Sequence, residues 1–472
     1  MAFWNRTKSF AAATSRDTHS ALKPTLSWVH LVGLGVGGIV GTGIYTLTGV
    51  GAGMAGPAVI LSFAIAGLVC AAAALAYAEM ATMIPMAGSA YTYTYVTLGE
   101  LLAWIVGWTL ILEYTVVCSA VAVGWSGYAA GVIRAAGWPI PDALLAGPGA
   151  GGIVNVPAIV ISLAVAGLLS IGSRESATVN LVLVMVKLIA LAIFVALALP
   201  AFNADNFEPF APFGYGSTEI ADGTKQGVMA AAAIIFFAFY GFDAVSTAAE
   251  ETKNPKRDLK IGIIGSMVLC TFLYMVVAAA ALGGSRYQDL ANSTEPLAMV
   301  LRNLQHPFAA TVIATAAVIA LPTVIMAFMY GQSRIFFVMA RDGLLPQRLS
   351  RVHPRTGTPV LMTFITSIIV AIIAAFVPLQ NIAAVANAGT LIAFIAVAVC
   401  MMVTRKTHPE HPRMFGPTAT WIIGIVAVIG CIYLFSSLQT RTMISVLIWN
   451  IVGLAIYLLW ARRKSLLEPA AG

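Results

Sequence analysis

Apolar runs of about 20 residues recur along the whole of this 472-residue chain. A run of that length matches the hydrocarbon thickness of a bilayer, and unpaired backbone groups cannot face lipid, so each run is expected as a membrane-crossing α-helix. Twelve such spans are expected, at about 29–54, 57–84, 98–126, 153–172, 177–200, 226–249, 259–282, 308–340, 358–378, 381–403, 416–436 and 442–461. No polar block between them is long enough to fold as a separate soluble domain. The chain therefore reads as an all-α integral membrane protein with a single membrane domain over 28–462, flanked by polar tails at 1–27 and 463–472.

The distribution of cations orients the bundle. An even number of spans places both termini on one side, and with the termini inside, 20 of the 26 lysines and arginines fall on that side, against Arg134, Lys225, Arg286, Arg302 and Arg441 on the other. Cytoplasmic loops carry such an excess, so both tails are expected in the cytoplasm of a multi-pass inner-membrane protein. The formal net charge of +7 then reflects topology rather than nucleic-acid binding. One cytoplasmic loop, PMAGSAYTYTYVTLGE after Pro85, carries no cation, and charge does not explain it. The N-terminal tail precedes an apolar run longer than a signal-peptide core.

Several chemistries lack sequence support. Residues are 60% hydrophobic and 10% charged, and no Walker A loop, GxSxG elbow or zinc motif occurs. Cys70, Cys118, Cys270, Cys400 and Cys431 all fall inside apolar runs with no CxxC spacing, as small core residues do. Neither an enzyme nor a cofactor or metal site is expected.

Two of the spans carry interruptions. GGIVGTGIY, Gly37 to Tyr45, puts four glycines in nine residues at membrane depth, where each costs about 0.8–1 kcal/mol relative to alanine in a helix. Gly35, Gly38 and Gly41 have the spacing of a small-residue packing face, which is the simpler explanation. A second interruption in span 6, FFAFYGFDA with Gly241 and Asp243, points elsewhere. Paired interruptions in corresponding positions mark inverted-repeat transporters, whose broken helices meet at the midplane. Spans 1–5 (about 29–200) and 6–10 (about 226–403) would be the repeats, with spans 11 and 12 (about 416–461) added outside. Helix ends exposed at the breaks carry partial charges of about +0.5 and −0.5, so a carboxylate and an ammonium can be held without an ionised side chain.

A few ionisable groups lie too deep to reach water. Lys187 is about ten residues from one end of span 5 and about twelve from the other, and ten residues are about 15 Å at the helical rise, farther than a lysine stem snorkels; it should face the bundle, where it can bind and release a proton during a transport cycle. Glu113, about twelve residues into span 3, can serve substrate, a proton relay or a structural pair. Asp243 is expected to cap the second half of span 6, whereas Glu79, Glu250 and Glu251, near cytoplasmic span ends, read as an ordinary solvated face.

The segments GGIVGTGIYTLTG, AGSAYTYTYVTLGELLAWIVGW, ILEY, VAVGWSGY, GFDAVSTAAEETKNPKRDLKIGI and YGQSRIFFVMARDGLLP together resemble the bacterial cationic amino acid transporter branch of the amino acid–polyamine–organocation superfamily, over residues 25–460. The resemblance implies a five-plus-five inverted repeat with discontinuous helices 1 and 6, two terminal helices, and secondary active uptake of amino acids. It implies that the substrate carboxylate meets Gly41, Thr42 and Gly43, and that the ammonium meets carbonyls of Ile39, Phe237, Ala238 and Tyr240. It further implies a coupling H⁺ carried by Lys187, which would touch the Gly41 region when charged, and a place for Glu113 near the site. Tyr240 is bulkier than the aliphatic residue expected there. Met326, Phe328 and Met329 on span 8 would line the side-chain pocket and favour neutral, fairly small amino acids such as alanine, because a buried guanidinium or ammonium needs a polar partner. Exchange of amino acids or polyamines on the same fold is the alternative; a nutrient sensor or a membrane enzyme fits less well. A small accessory membrane subunit is neither implied nor excluded.

Overall fold

The computed structural model describes residues 6–9, 24–220, 224–293 and 295–466, without the side chains of 135 and 173–175. Arg16, Lys23, the Arg174 side chain and much of both tails lie outside the described residues. The first apolar run folds in three pieces, α1 (Trp28–Ile39), α2 (Thr42–Tyr45) and α3 (Leu47–Ala55). Gly56, at a φ of +65°, and Pro57 then turn the chain into α4 (Val59–Met83). Next come α5 (Ser89–Thr97), α6 (Glu100–Ala135), α7 (Val156–Ile171) and α8 (Ser173–Ala198). A two-residue antiparallel pair, β1 (Thr218–Glu219) with β2 (Lys225–Gln226), is the one departure from helix among the named elements. It leads into α9 (Val228–Ile235), a tight turn over Phe236–Ala238, and α10 (Asp243–Thr247). The chain continues through α11 (Pro255–Gly284), α12 (Tyr287–Ala291), α13 (Pro296–Asn303), α14 (Pro307–Ala320), α15 (Pro322–Arg341), α16 (Val360–Phe376) and α17 (Leu379–Thr407). It closes with α18 (Pro417–Ser436) and α19 (Thr440–Leu459).

Ten helical stretches among the described residues are long and apolar enough to cross a membrane, and α7 and α16 are shorter apolar helices of 16 and 17 residues. The most buried of the ten is Val228–Thr247, the interrupted stretch, whereas Pro417–Ser436 and Thr440–Arg463 expose most of their surface. The broken helices thus sit at the centre of the bundle, and the last two lie at its edge.

Span 8, expected as one helix, divides at Pro322 into α14 and α15. Proline has no N–H to give the carbonyl four residues back. That carbonyl belongs to Val318, and the Trp125 indole N–H from α6 replaces the missing donor at 2.6 Å.

At the cation-rich end the carboxylates expected as a solvated face are mostly buried and paired. Glu79 meets Arg413 at 3.2 Å, Glu251 meets Arg334 at 2.8 Å, and Glu250 meets Arg341 at 2.9 Å. Arg334, one of the 20 cations counted on the cytoplasmic side, is itself buried in α15 and stacks over Tyr330. The cation-free loop has a structural explanation: its SAYTYTYVT segment is α5, a buried helix packed on α6 and α17. The chain near the N-terminus lies across it, with Lys8 N–H donating to the Tyr95 carbonyl and Lys8 Nζ to Asp342 at 2.7 Å. Asp342 also accepts from Tyr91, and Glu100 accepts from Tyr95, Tyr457 and Ser465. A solvated cationic loop is therefore replaced by an internal plug closed over by both ends of the chain.

Candidate functional site

The two interruptions pack backbone to backbone. Helix α1 ends at Ile39, Val40 turns extended (φ −74°, ψ 96°), and α2 begins after Gly41. In the other break Gly241 takes a φ of +126°, where any Cβ would lie 2.6 Å from the Gly38 carbonyl carbon. A Cβ on Gly43 would likewise sit 2.3 Å from Ala238 Cα. At Gly43 and Gly241 only glycine fits, because backbone occupies the space of a side chain. The glycine pattern is thus a packing face, but one facing the second break as well as neighbouring helices.

A helix end leaves carbonyls without intrahelical donors, and inside a membrane each must find one. Lys187 on α8 supplies them for α1. Its Nζ donates to Gly37 O at 2.9 Å, to Val40 O at 2.5 Å and to Thr323 Oγ1 at 2.8 Å, and the side chain is fully buried. Thr323 stands next to Pro322 at the start of α15, so this one ammonium ties the first break to span 8. The Ile39 carbonyl accepts from Tyr274 of α11 at 2.5 Å. Asn180, two turns before Lys187 on α8, donates to Gly33 O at 2.9 Å and extends the same seam.

Asp243 serves the second break, though not as a standard cap on the amides ahead of it. One of its carboxylate oxygens accepts from the Gly241 amide at 3.0 Å, and the other from the Tyr114 hydroxyl at 2.5 Å. Asn387 on α17 donates to the carbonyls of Ala233 and Ile234, at 2.7 and 3.2 Å, near the end of α9.

Between the breaks lies a small cleft lined by Gly38, Ile39, Gly41, Thr42 and Gly43 from the first, Phe237 and Tyr240 from the second, and Val117, Val324 and Phe328 from α6 and α15. The Thr42 hydroxyl is buried and has no hydrogen-bond partner among the described residues. Apolar side chains and aromatic edges form the rest of the wall; Tyr240 and Phe328 meet edge-on with centroids 5.9 Å apart. No ionised side chain lines the cleft.

Most of the residues expected at a site converge here, with three exceptions, Met326, Met329 and Glu113, and four additions. Of the span 8 trio, Phe328 lines the cleft. Met326 instead faces a separate narrow crevice with His30, Asn180 and Tyr330, and Met329 is buried in the packing. Ala238 contributes backbone against Gly43. Glu113 lies behind the lining, on α6: one oxygen accepts from Thr390 of α17 at 2.6 Å, and the other has no partner among the described residues. The Tyr240 hydroxyl is also buried without one. Sequence reasoning missed Val117, Val324, Thr323 and Tyr274. For Thr323 there was a signal, a hydroxyl beside the one proline that interrupts span 8.

Comparison with known proteins places this geometry in a family. The chain is 43% identical to the branched-chain amino acid permease BcaP of Bacillus subtilis, over 97% of each chain. It is 40% identical to the methylthioribose transporter of the same organism, over 98% of this chain and 99% of that one. It is also 37% identical to the vacuolar cationic amino acid transporter 4 of Arabidopsis thaliana, over 84% of this chain and 65% of the relative. The family model for amino acid permeases matches residues 26–460. This multi-pass membrane protein, with its two broken helices meeting at the centre, belongs to the amino acid permease family.

Proposed function

We propose that the protein is an H⁺-coupled symporter that takes neutral aliphatic amino acids into the cell, with twelve spans in a five-plus-five inverted repeat plus two terminal helices. Both termini would face the cytoplasm. The observation that carries this reading is the contact of the Lys187 ammonium with Gly37 O, Val40 O and Thr323 Oγ1. A protonated lysine there donates N–H groups to oxygens whose lone pairs a metal cation could otherwise take, and so holds the first break to span 8. Loss of the proton removes the positive charge from those carbonyls and loosens that link.

The substrate carboxylate would meet the amides of Gly41, Thr42 and Gly43 and the unpartnered Thr42 hydroxyl, at the positive end of the half-helix that starts there. The ammonium would meet carbonyls of Ile39, Phe237, Ala238 and Tyr240. The side chain would lie among Val117, Val324 and Phe328, an apolar wall that leaves a cationic side chain without a partner. The name of the permease 43% identical to this chain supports branched aliphatic side chains over alanine alone. Glu113 would act through Tyr240 and Thr390 rather than by touching substrate.

A thermal-shift panel on the purified protein tests the substrate class, since a ligand that binds the folded state stabilises it by RT ln(1 + [L]/Kd). Leucine, isoleucine, valine and alanine should raise Tm, whereas arginine, lysine and polyamines should not. A shift with methylthioribose and none with any amino acid would overturn the substrate assignment. Uptake into proteoliposomes under an inward proton gradient tests coupling: obligatory exchange, with no accumulation driven by the gradient, would overturn symport.

A further inference from the structure

Away from the central cleft, at the end of the bundle opposite Lys8 and Asp342, lies a larger cavity of about 280 Å³. Its floor includes Leu47 and Ile234, which stand a few residues from Tyr45 and Phe237 on the two broken helices. Its polar wall is built from Lys225 on β2, Gln380 and Asn381 at the start of α17, and Gln439 just before α19. With Gln226 beside Lys225 on β2, one cation and four amides therefore surround an apolar floor.

Lys225 is held in place by carbonyls, not by a carboxylate. Its Nζ donates to Leu438 O at 2.9 Å and to Ser436 O at 3.3 Å. An ammonium has three donors, so one remains. Glu219 is its cross-strand neighbour in register, yet the two form no ion pair. Among the described residues this half-buried ammonium meets carbonyls at the end of α18 and no carboxylate, in a wall whose other polar side chains are the Thr224 hydroxyl and amides able to donate to an oxygen anion and accept from an ammonium.

We infer that this cavity is a second amino acid site, in which Lys225 holds the carboxylate of an aliphatic substrate and the side chain rests on the Leu47 and Ile234 floor. The inference rests on the substrate class proposed for the central cleft. The outer site binds through a side-chain cation, whereas the central one binds through helix ends. The two therefore differ in what they demand: the outer site needs a carboxylate and tolerates loss of the ammonium, and the central site needs both. An exposed charge pair is also screened by salt over about 8–10 Å at 0.1–0.15 M, while a buried helix-end contact is screened far less.

Equilibrium binding of radiolabelled leucine to the purified full-length protein tests this. Wild type should show two classes of site, the weaker one displaced by 4-methylpentanoate, which lacks the ammonium, and weakened by raising the salt. Lys225→Gln should remove the weaker class, with at least a tenfold rise in its Kd, and leave the tighter class unchanged. Gly41→Val, which places a side chain against Val324, should do the reverse. Asn381→Ala keeps Lys225 and should weaken the outer class alone, which guards against misfolding of the lysine variant. A single class, lost in Gly41→Val and indifferent to Lys225→Gln, Asn381→Ala and 4-methylpentanoate, would overturn the second site while leaving the proposed function intact. No leucine binding to wild type would overturn both.

Discussion

The two breaks solve the same problem with opposite charges. In the first, the carbonyls of Gly37 and Val40 are satisfied by a cation, Lys187, reaching in from α8. In the second, the Gly241 amide is satisfied by an anion, Asp243, two residues along the same chain and pinned by Tyr114. The difference lies in what holds each group. Asp243 is fixed by its own backbone and by a phenol, so the second break is an internally closed unit. Lys187 is a long side chain from another helix, and its three contacts join α1, α8 and α15. Under the coupling proposed above, the first break would be released when Lys187 loses its proton, which would make it the moving part and the second break its anvil.

The largest effect should come from removing the moving part. In Lys187→Ala, accumulation driven by a proton gradient should fall by about two orders of magnitude or more in proteoliposomes, and the remaining flux should lose its dependence on pH. Counterflow of substrate against substrate should persist, because the amides of the first break remain. Undiminished gradient-driven accumulation would show that both breaks are equally passive. The counterpart in the second break should injure the fold more than the coupling. Asp243→Ala leaves the Gly241 amide and the Tyr114 hydroxyl buried without an acceptor, about 1–3 kcal/mol each. A lowered Tm in detergent, largely restored by Asp243→Asn, would confirm a structural clamp, since the amide oxygen of asparagine can still accept from Gly241. Loss of coupling at unchanged Tm would erase the distinction between the breaks.

The position of Thr323 sharpens the first half of the comparison. Its hydroxyl accepts from Lys187 while lying 2.8 Å from Ala320 O and 3.2 Å from Gly37 O. Thr323→Val keeps shape and removes that acceptor, leaving Lys187 joined to α1 but not to α15. Gradient-driven uptake should drop about tenfold, corresponding to about 1.4 kcal/mol, with binding of leucine within a few-fold of wild type. Equal losses in binding and uptake would mean that Thr323 shapes the cleft rather than couples it.

Sequence patterns revealed the parts that depend on one stretch of chain. The end of span 1 at about 54 and the glycines at both breaks follow from local composition, and helices begin and end near them. What composition could not show was pairing across distance. Glu79 looked solvated because its partner, Arg413, stands 334 residues away. The α5 segment looked like a loop because Tyr and Thr alternate without a long apolar run, and only packing on α6 and α17 makes it a buried helix. The site divides the same way: Gly41, Thr42, Gly43, Phe237 and Tyr240 lie in the two readable motifs, whereas Val117, Val324 and Tyr274 are ordinary residues of apolar helices until the fold aims them inward. Met326 shows the reverse, since adjacency to Phe328 in sequence puts it on a different face of α15.

The smallest predicted effect concerns the Ile39 carbonyl, which is expected to receive the substrate ammonium and is already bonded to Tyr274 at 2.5 Å. A carbonyl oxygen has two lone pairs, so the phenol and the ammonium can share it only if they approach from different sides. Tyr274→Phe separates the possibilities. If both partners fit, the variant loses one hydrogen bond, about 1 kcal/mol of stability, and leucine binding stays within about threefold of wild type. If the phenol must leave before substrate arrives, the variant binds leucine more tightly than wild type by about the same free energy, near fivefold. In the first case Tyr274 is a fixed part of the break, as Tyr114 is on the other side; in the second it is a further component that moves, and the asymmetry between the two breaks extends from Lys187 to the carbonyl beside it.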